Sequence, residues 1–390
     1  MINFNFYNGT EIVFGKGREN NVGDYAAKYG KKVLLHYGGG SIKKTGLYDR
    51  VVKSLKDKGM EIFELPGVKP NPRLSLVREG IELCRKEKID IILAVGGGSV
   101  IDSAKAIGFG APYDGDVWDF FTRKATQQQS LPVGTVLTIP AAGSESSSGC
   151  VITNEDGWLK RPAAEPYTSY PKFSILNPEL AFTLPKDQVA NGVSDILAHL
   201  FERYFTNTEK VELIDRMLEA VMKTIINNVH AVLKNPEDYD AWSQIMLGGA
   251  FAHNNSLSSG RVGDWASHMI EHELSALYDI PHGEGLAIIF PAWMKYNFKH
   301  DFDRFVQFAA RVWNVENDFF DEEKTALAGI ATYEKFLISI GLPVHLSEIN
   351  IANDRFEEMA SKATGGDSFT LGSFVPLKKD DIVNIYKLAE

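Results

Sequence analysis

Short apolar segments alternate with amphipathic ones through the first half of this 390-residue chain, and this alternation most constrains its fold. Segments 31–37, 89–95 and 132–140 are almost continuously apolar. Between them, residues 45–59 and 71–88 carry apolar side chains at helical spacing. Strands separated by helices predict βαβ units in a parallel sheet. Continuously apolar strands further predict that both faces of this sheet are covered.

The pattern changes near residue 180. Beyond this point nearly every segment has the helical period, starting with the helix predicted after Pro185. We therefore predict two domains. The first, residues 1–180, is an α/β N-terminal Rossmann-like domain with a parallel sheet that binds a dinucleotide. The second, residues 181–390, is an all-helical C-terminal domain that binds metal and substrate.

Composition and charge exclude several classes of protein. The net charge of −10 and the lack of long basic runs argue against a nucleic-acid partner. The apolar runs are far shorter than the roughly 20 residues of a membrane-spanning helix, so no membrane partner is expected. Cys84 and Cys150 show no disulfide pattern, and the first residues lack the pattern of a signal peptide. We therefore expect a cytoplasmic protein.

Two glycine-rich turns follow apolar strands, at residues 38–41 ("GGGS") and 96–99 ("GGGS"). Glycines let the backbone approach a phosphate closely, and the following helix presents free N–H groups. Neither turn matches the common nucleotide-binding fingerprints, so a simple tight turn remains the alternative interpretation. Asp102, one turn into the second helix, is either an exposed helix residue or a partner for ribose or amide groups.

The first of these turns bears on the choice of dinucleotide. An NAD site often places an acidic residue just after a strand, where it accepts a hydrogen bond from the ribose 2′-OH. Here no carboxylate follows the strand, and Lys43 and Lys44 come next. The sequence therefore favours NADP(H) over NAD(H). The alternative is that both lysines are merely solvated.

A candidate metal constellation lies in the second half of the chain. Asp195 and His199 are four residues apart on an apolar helix and share one of its faces. His268 lies on a second apolar helix, and His282 lies in a loop predicted after it. One Asp and three His residues suit Fe²⁺ or Zn²⁺. The same four-residue rule pairs His268 with His272, so spacing alone leaves the ligand set open.

Several segments together, in this order, are similar to one known family. "YGGGSIKKTG", "AVGGGSVIDSAKAI", "DILAHLFERY" and "DWASHMIEHELSALYDIPHGEG" make the chain resemble the iron-containing alcohol dehydrogenases along essentially its whole length. Within them it is most similar to the branch of butanol dehydrogenases and NADPH-dependent aldehyde reductases. The resemblance implies a metal-dependent alcohol dehydrogenase or aldehyde reductase that acts on short-chain aliphatic substrates such as butanol and butyraldehyde. It also implies a homodimer.

The resemblance further implies roles for single residues. It makes Asp195, His199, His268 and His282 the metal ligands. It places His272 beside the nicotinamide, where this residue either relays a proton or is only a neighbour. The cofactor-binding residues that it implies are Gly39, Gly40, Ser41, Asn71, Gly97, Gly98, Ser99, Asp102, Thr138, Ser147, Lys160, Leu180 and His272.

Three residues depart from the family pattern. Ala142, Ser147 and Asn177 stand where Thr, Asn and Asp respectively are found in the family or in its aldehyde-reductase branch. These departures bear on the details of cofactor contact and not on the four metal ligands.

Other activities share some of these features. A polyol dehydrogenase of the glycerol type would use the same site. A lyase resembling dehydroquinate synthase shares the architecture, but it needs several basic residues for an anionic substrate, and these motifs lack them. A metal hydrolase would leave both glycine turns unexplained.

Overall fold

The computed structural model describes residues 1–165 and 167–390, which form two compact units. The sheet unit comprises Phe6–Leu184 and Pro236–Asn255. The helical unit comprises Met1–Asn5, Pro185–Asn235 and Ser256–Glu390. The main change of unit therefore falls between Leu184 and Pro185, and one later segment returns to the sheet unit.

The sheet unit is built on a parallel sheet with helices between its strands. Its described strands are β1 (Glu11–Phe14), β2 (Lys32–Tyr37), β3 (Glu61–Leu65), β4 (Ile91–Gly96), β5 (Val133–Leu137), β6 (Gly149–Asn154), β7 (Leu159–Ala164) and β8 (Phe173–Leu176). Its described helices are α1 (Val22–Ala26), α2 (Ser41–Lys44), α3 (Leu47–Asp57), α4 (Leu74–Glu87), α5 (Gly98–Gly110), α6 (Trp118–Phe121) and, from later in the chain, α9 (Tyr239–His253).

Six of these strands form one sheet in the order β1-β8-β5-β4-β2-β3, with every neighbouring pair parallel. Every residue of β4 and β5 is buried, as their continuously apolar sequences predict. β6 and β7 form a separate antiparallel hairpin that the apolar pattern did not reveal.

The carboxyl ends of β2 and β4 lie side by side. The two strands are paired in parallel, and Tyr37, the last residue of β2, pairs with Val95. The turn at residues 38–40 and the turn at residues 97–98 therefore leave the same edge of the sheet from neighbouring strands. This edge is where open α/β sheets bind their ligands.

The helical unit contains eight described α-helices. They are α7 (Lys186–Tyr204), α8 (Glu212–Lys234), α10 (Ala266–Tyr278), α11 (His282–Asn297), α12 (Phe302–Trp313), α13 (Glu322–Ser339), α14 (Phe356–Thr364) and α15 (Lys379–Leu388). Together with the parallel sheet they confirm the predicted fold class, an α/β Rossmann-like domain and a helical one. Among the described residues, no helix is both long and apolar enough to cross a membrane.

One glycine sets how closely two of these helices approach. Gly283 is the second residue of α11, and a Cβ atom at this position would lie 2.0 Å from the backbone oxygen of Asn191 in α7. A contact this short is impossible for any larger residue, so α11 begins directly against the backbone of α7. The first residue of α11, His282, is thereby carried to the face of α7 that holds Asp195.

Candidate functional site

Three of the four predicted ligands form a tight group in the helical unit. The candidate ligand atoms of Asp195, His268 and His282 all lie within 4.8 Å of one another. The Nε2 atoms of His268 and His282 are each 4.0 Å from Oδ1 of Asp195. Three helices, α7, α10 and α11, therefore each contribute one side chain to the group.

The fourth predicted ligand, His199, adjoins this group from the next turn of α7. Its Nδ1 donates a hydrogen bond to the backbone oxygen of Asp195 at 2.9 Å. Its ring centroid lies 4.7 Å from that of His268. Because Nδ1 carries the proton, Nε2 is the nitrogen with a lone pair for an ion.

Glu202 orients His268. Its Oε1 accepts hydrogen bonds from Nδ1 of His268 at 2.7 Å and from the backbone N–H of the same residue at 3.1 Å. Its Oε2 accepts the backbone N–H of Trp265, which precedes α10. One carboxylate of α7 thus fixes the start of α10 and leaves the Nε2 lone pair of His268 for a ligand.

Glu271 does the same for His282. Nδ1 of His282 donates to Oε2 of Glu271, and the hydroxyl of Ser275 donates to Oε1. Gly285 makes room for this carboxylate, because a Cβ atom at this position would lie 2.6 Å from Oε1 of Glu271. Both histidines are therefore held by a carboxylate on Nδ1, an arrangement typical of metal-binding histidines.

The charges of the group also favour a cation. Burial alone would raise the pKa of Asp195, but His199, His282 and His268 outweigh it and hold this pKa well below its usual range. Burial lowers the pKa of His268 well below its usual value, and the neighbouring histidines His199 and His282 lower it further. The group therefore presents an ionised carboxylate at Asp195 and a neutral imidazole at His268, which are the forms that bind a metal.

Two buried atoms of the group lack a protein partner. Oδ1 of Asp195 and Nε2 of His268 are buried and accept no hydrogen bond from any described residue. Oδ1 of Asp195 lies only 3.1 Å from Nδ1 of His199, but the N–H of that nitrogen is directed to the backbone oxygen of Asp195. Unsatisfied buried acceptors are costly, and an ion bound between them would satisfy both. The residues present thus fit a divalent ion.

The structure corrects one prediction about this region. His282 does not lie in a loop but is the first residue of α11, directly after Pro281. A proline at the N-terminus of a helix is favourable because its fixed φ suits the helix start. His282 is therefore fixed by helical geometry.

His272 lies beside the group, next to His282. Its candidate ligand atom lies within 4.8 Å of those of His282 and Glu271, and its ring centroid is 5.4 Å from that of His282. It is buried on α10, one turn after His268. His282 therefore belongs to two groups, one with Asp195 and His268 and the other with Glu271 and His272.

The two glycine turns in the sheet unit differ in what surrounds them. An added Cβ atom at Gly39 or Gly40 would meet no atom of the described residues within 4 Å, and Gly40 has a positive φ of 111°. At Gly97 and Gly98 an added Cβ would lie 3.0 Å from Ile139 and 3.2 Å from Ala142. The first turn is therefore open, while the second is tightly packed against protein.

The second turn starts α5 without a side-chain cap. Gly97 precedes this helix, and the hydroxyl-bearing Ser99 is half-buried in its first turn. A helix of thirteen residues presents free N–H groups and the positive end of its dipole at this point. This turn provides the conditions for binding a pyrophosphate. Thr138, after β5, donates its N–H to the oxygen of Gly96 beside it.

Asp102 and Lys105 of α5 hold a neighbouring loop. Oδ1 of Asp102 accepts the hydroxyl of Ser144 at 2.5 Å, and Oδ2 accepts the N–H of Val151 at 2.9 Å. Lys105 donates to the same hydroxyl at 2.9 Å and to the backbone oxygens of Ser147 and Gly149, both at 2.8 Å. The carboxylate of Asp102 thus has a structural role, because it holds Ser144 and the backbone of Val151.

The remaining predicted cofactor residues of the sheet unit lie in three places. Nζ of Lys160, on β7, donates to Oδ1 of Asn71 at 2.9 Å, and both side chains are buried. The hydroxyl of Ser147 is buried and has no protein partner among the described residues. Leu180 packs partly buried against the apolar core of the sheet unit. Ser147 therefore has a hydroxyl to offer a ligand.

Two functional residues of the metal group, Glu202 and Glu271, were missed by the sequence analysis. Each lies within five residues of a predicted ligand histidine, on a helix whose neighbouring residues are apolar. A glutamate among apolar residues at a helix position that turns inward must be paired when buried. This signal was present in "HLFERY" and "MIEHEL", and it would have found both residues.

The chain matches two models that describe successive parts of one family. Residues 9–178 match the model "Iron-containing alcohol dehydrogenase". Residues 189–389 match the model "Fe-containing alcohol dehydrogenase family, C-terminal". Together the two matches span most of the chain.

Relatives and solved structures agree with these matches over nearly full length. The "Probable NADH-dependent butanol dehydrogenase 1" of Bacillus subtilis is 44% identical and is aligned over 99% of each chain. The "NADPH-dependent aldehyde reductase" of Escherichia coli is 36% identical over 100% of each. The crystal structure of the NADH-dependent butanol dehydrogenase A of Thermotoga maritima has a TM-score of 0.96 at 41% identity. It covers 100% of this chain and 99% of its own.

Proposed function

Because the chain belongs to the iron-containing alcohol dehydrogenase family of oxidoreductases that act on CH–OH groups, we propose the following reaction. The enzyme interconverts a short-chain aliphatic aldehyde, such as butyraldehyde, and its alcohol by hydride transfer with a nicotinamide dinucleotide. The ion is Fe²⁺ or Zn²⁺, and its ligands are Asp195, His199, His268 and His282.

One observation carries this proposal. Oδ1 of Asp195 and Nε2 of His268 are buried and have no partner within residues 1–165 and 167–390, while carboxylates hold Nδ1 of His268 and of His282. A group that served only to stabilise the fold would pair its buried acceptors with donors. The arrangement instead supports binding of an ion, which would act there on the substrate oxygen.

When bound, the ion supplies Lewis-acid polarisation of the carbonyl oxygen and the dinucleotide supplies the hydride. Asp195 and the three ligand histidines would hold this ion. Glu202 and Glu271 keep the protons of His268 and His282 on Nδ1. We assign to His272 the delivery of a proton to the substrate oxygen, which its place beside His282 supports.

The test is reduction of butyraldehyde, followed at 340 nm, by protein loaded under anaerobic conditions with Fe²⁺ or with Zn²⁺. We expect dinucleotide oxidation that depends on the ion. A fully loaded protein that oxidises neither NADH nor NADPH with any short aldehyde would contradict the proposal. His272→Ala should retain the ion and lose kcat, and loss of the ion from this variant would contradict its assignment.

The dinucleotide site is proposed at the two glycine turns of the sheet unit. Gly39, Gly40 and Ser41 would meet the adenosine ribose, and Gly97, Gly98 and Ser99 the pyrophosphate. The residues proposed to line the remainder are Asn71, Asp102, Thr138, Ser147, Lys160, Leu180 and His272. The lack of a carboxylate directly after β2 supports NADP(H), whereas the names of the Bacillus and Thermotoga relatives support NAD(H).

Self-association is a further part of the proposal. Ile2, Phe4 and Phe6 alternate along the N-terminal segment and expose 47%, 51% and 51% of their surfaces. Exposed apolar side chains in such an array are typical of protein interfaces, and a second copy of the chain is the proposed partner. Light scattering of Phe4→Ser should show a monomer where the unaltered protein shows a dimer. A dimeric variant would contradict this interface.

We propose a cytoplasmic location. Cys84 and Cys150 are both free and buried, which suits a reducing compartment. Fractionation of cells that express the tagged protein tests this location, and recovery outside the cytoplasmic fraction would contradict it.

A further inference from the structure

A carboxylate from β3 organises a small cluster in the sheet unit. Glu64 accepts the hydroxyl of Tyr37 at 2.6 Å on Oε2 and that of Tyr48 at 2.6 Å on Oε1. The ammonium of Lys43 lies 4.0 Å from Oε2. It also lies over the rings of Tyr37 and Tyr48, at 5.2 and 4.6 Å from their centroids. We call these four residues the Glu64 cluster.

The Glu64 cluster flanks the first glycine turn. Tyr37 is the residue before Gly38, and Lys43 follows Ser41 by two residues. The chain after β3 is tied to the same turn, since the N–H of Gly67 donates to the oxygen of Gly38. The cluster and the open space at Gly39 and Gly40 are therefore parts of one local structure.

Sheet topology indicates which part of a dinucleotide lies here. In open α/β sheets the pyrophosphate binds at the N-terminus of the helix after one strand, and the adenosine ribose lies at the neighbouring strand. α5, after β4, starts at Gly98, and β2 is the neighbour of β4. The ribose 2′-position therefore falls at the turn after β2, beside the Glu64 cluster.

The cluster changes the charge that a 2′-substituent meets. Burial raises the pKa of Glu64, but hydrogen bonds from Tyr37 and Tyr48 and the charge of Lys43 outweigh it and lower this pKa overall. Glu64 is thus ionised at neutral pH. It compensates the charge of Lys43, one of the two lysines on which the sequence-based preference for NADP(H) depends. A 2′-phosphate, with about −1.5 to −2 charges at pH 7, would meet a carboxylate there.

We propose that Glu64 determines the dinucleotide preference of this enzyme, retaining Lys43 over the two tyrosine rings and favouring NAD(H) over NADP(H). Glu64 takes the part of the acidic residue that is absent after β2, although it comes from the adjacent strand. The inference rests on the dinucleotide site of the proposed function, and it reverses the preference that the sequence alone predicts.

Binding calorimetry with NAD⁺ and NADP⁺ on the full-length, ion-loaded protein tests this inference without relying on turnover. The unaltered protein should bind NAD⁺ more tightly than NADP⁺. Glu64→Gln keeps the size of the side chain and its acceptor oxygen but removes the charge. It should bind NADP⁺ about fivefold more tightly, the effect of one exposed charge pair, with NAD⁺ affinity unchanged within about twofold.

Two further variants isolate the charge of Glu64. Glu61→Gln removes a carboxylate from the same strand that is 4.0 Å from Lys32, and it should change neither affinity. Lys43→Met in the Glu64→Gln protein should abolish the gain for NADP⁺, because the gain comes from the released ammonium. Raising the ionic strength to about 1 M should also diminish the gain, since exposed charges are then screened within about 3 Å.

The outcomes separate this inference from the proposed function. If the unaltered protein binds neither dinucleotide, the proposed function fails and this inference with it. If it binds both, but prefers NADP⁺ or responds to Glu64→Gln no more than to Glu61→Gln, only this inference is overturned. Circular dichroism and thermal unfolding of each variant confirm that the affinities are compared between folded proteins.

Discussion

Two histidines, one in each unit, show what distinguishes a structural residue from a candidate ligand. His36 in β2 and His268 in α10 are both buried, and burial lowers the pKa of each. His36 has a protein partner on each ring nitrogen, the oxygen of Leu65 and the hydroxyl of Ser103, both at 2.8 Å. His268 has a partner on Nδ1 only. A ring nitrogen without a partner among the described residues, rather than burial or a lowered pKa, therefore distinguishes the candidate ligand from the structural histidine.

The same contrast applies to the two candidate sites. In the helical unit, side chains from three helices converge on a buried centre, and further buried carboxylates orient them. In the sheet unit, the absence of side chains leaves the backbone at Gly39 and Gly40 open. Binding at the side-chain site should therefore be lost when a substitution removes a charge or an orienting contact. Binding at the backbone site should be lost when a substitution adds a side chain where there is none.

The largest effect is expected from Asp195→Asn. Asparagine preserves the shape but removes the negative charge among His199, His268 and His282, so the ion should be lost. Activity with butyraldehyde should fall by about 10³-fold, because several kcal/mol of transition-state stabilisation depend on the ion. Elemental analysis and assays at 340 nm measure both effects. His230→Ala, at an exposed helix position, is the control, and Asp195→Asn with its ion retained would contradict the ligand assignment.

The pH dependence of stability should identify His36 as structural. Burial lowers the pKa of His36 to about 4 in the folded protein, from about 6.5 in the unfolded chain. The unfolded chain therefore binds more protons between these values, so stability is unaffected above pH 6.5 and falls as pH decreases toward 4. This contribution amounts to up to about 3 kcal/mol.

Denaturant unfolding of the unaltered protein and of His36→Asn at several pH values measures it. As pH falls from 6.5 toward 4, the unaltered protein should lose unfolding free energy relative to His36→Asn. His230→Asn, at an exposed site, should show a constant difference. A constant difference for His36→Asn as well would show that this histidine is not held neutral.

Glu271→Gln tests whether orientation contributes separately from ligation. The amide keeps a hydrogen-bond acceptor for Nδ1 of His282 but loses the charge that fixes its proton. Loss of such a partner typically costs 10- to 100-fold in metal affinity, and we expect about this decrease. Competition with a chelator measures it. Glu273→Gln, also buried on α10, is the matched control, and equal losses in both would indicate a general effect of helix stability.

The smallest effect is expected from Gly39→Ala. In the part of the chain that the structure describes, no atom lies within 4 Å of the added Cβ, and the φ at this position needs no glycine. Stability should therefore stay within about 0.5 kcal/mol, whereas KM for the dinucleotide should rise by about tenfold. Gly40→Ala should in addition lose about 1 kcal/mol of stability because of its positive φ. An unchanged KM for Gly39→Ala would show that no dinucleotide approaches this turn.

Much of this fold could be predicted because its strands and helices have distinct periods. The buried strands β2, β4 and β5 lie within a few residues of their predicted bounds, and α7 begins directly after Pro185 as predicted. The hairpin of β6 and β7 was missed, since the charged and exposed residues of β7 break the apolar pattern there. The return of Pro236–Asn255 to the sheet unit also has no local signal, because α9 has the helical period of its neighbours.

The candidate site was predicted only as far as local spacing reaches. Asp195 and His199 share a helix face, so their proximity follows from a four-residue interval. Glu64 and Lys43 are 21 positions apart and meet because β3 pairs with β2, which no local rule reveals. Asp102, whose role its sequence left open, accepts hydrogen bonds from Ser144 and Val151, which lie more than 40 positions along the chain. Long-range pairing determines such partners.

Gly283 has a consequence for protein engineering. A glycine near the start of a helix is an obvious target for stabilisation, because alanine in a compatible position commonly adds about 0.4–1 kcal/mol. Here a methyl group would displace α11 from the backbone of α7 and carry His282 away from Asp195. A screen for heat resistance alone would therefore measure stability at this position, whereas the substitution would change the position of His282. A mutant library designed to raise the thermal stability of the enzyme should leave Gly283 unchanged.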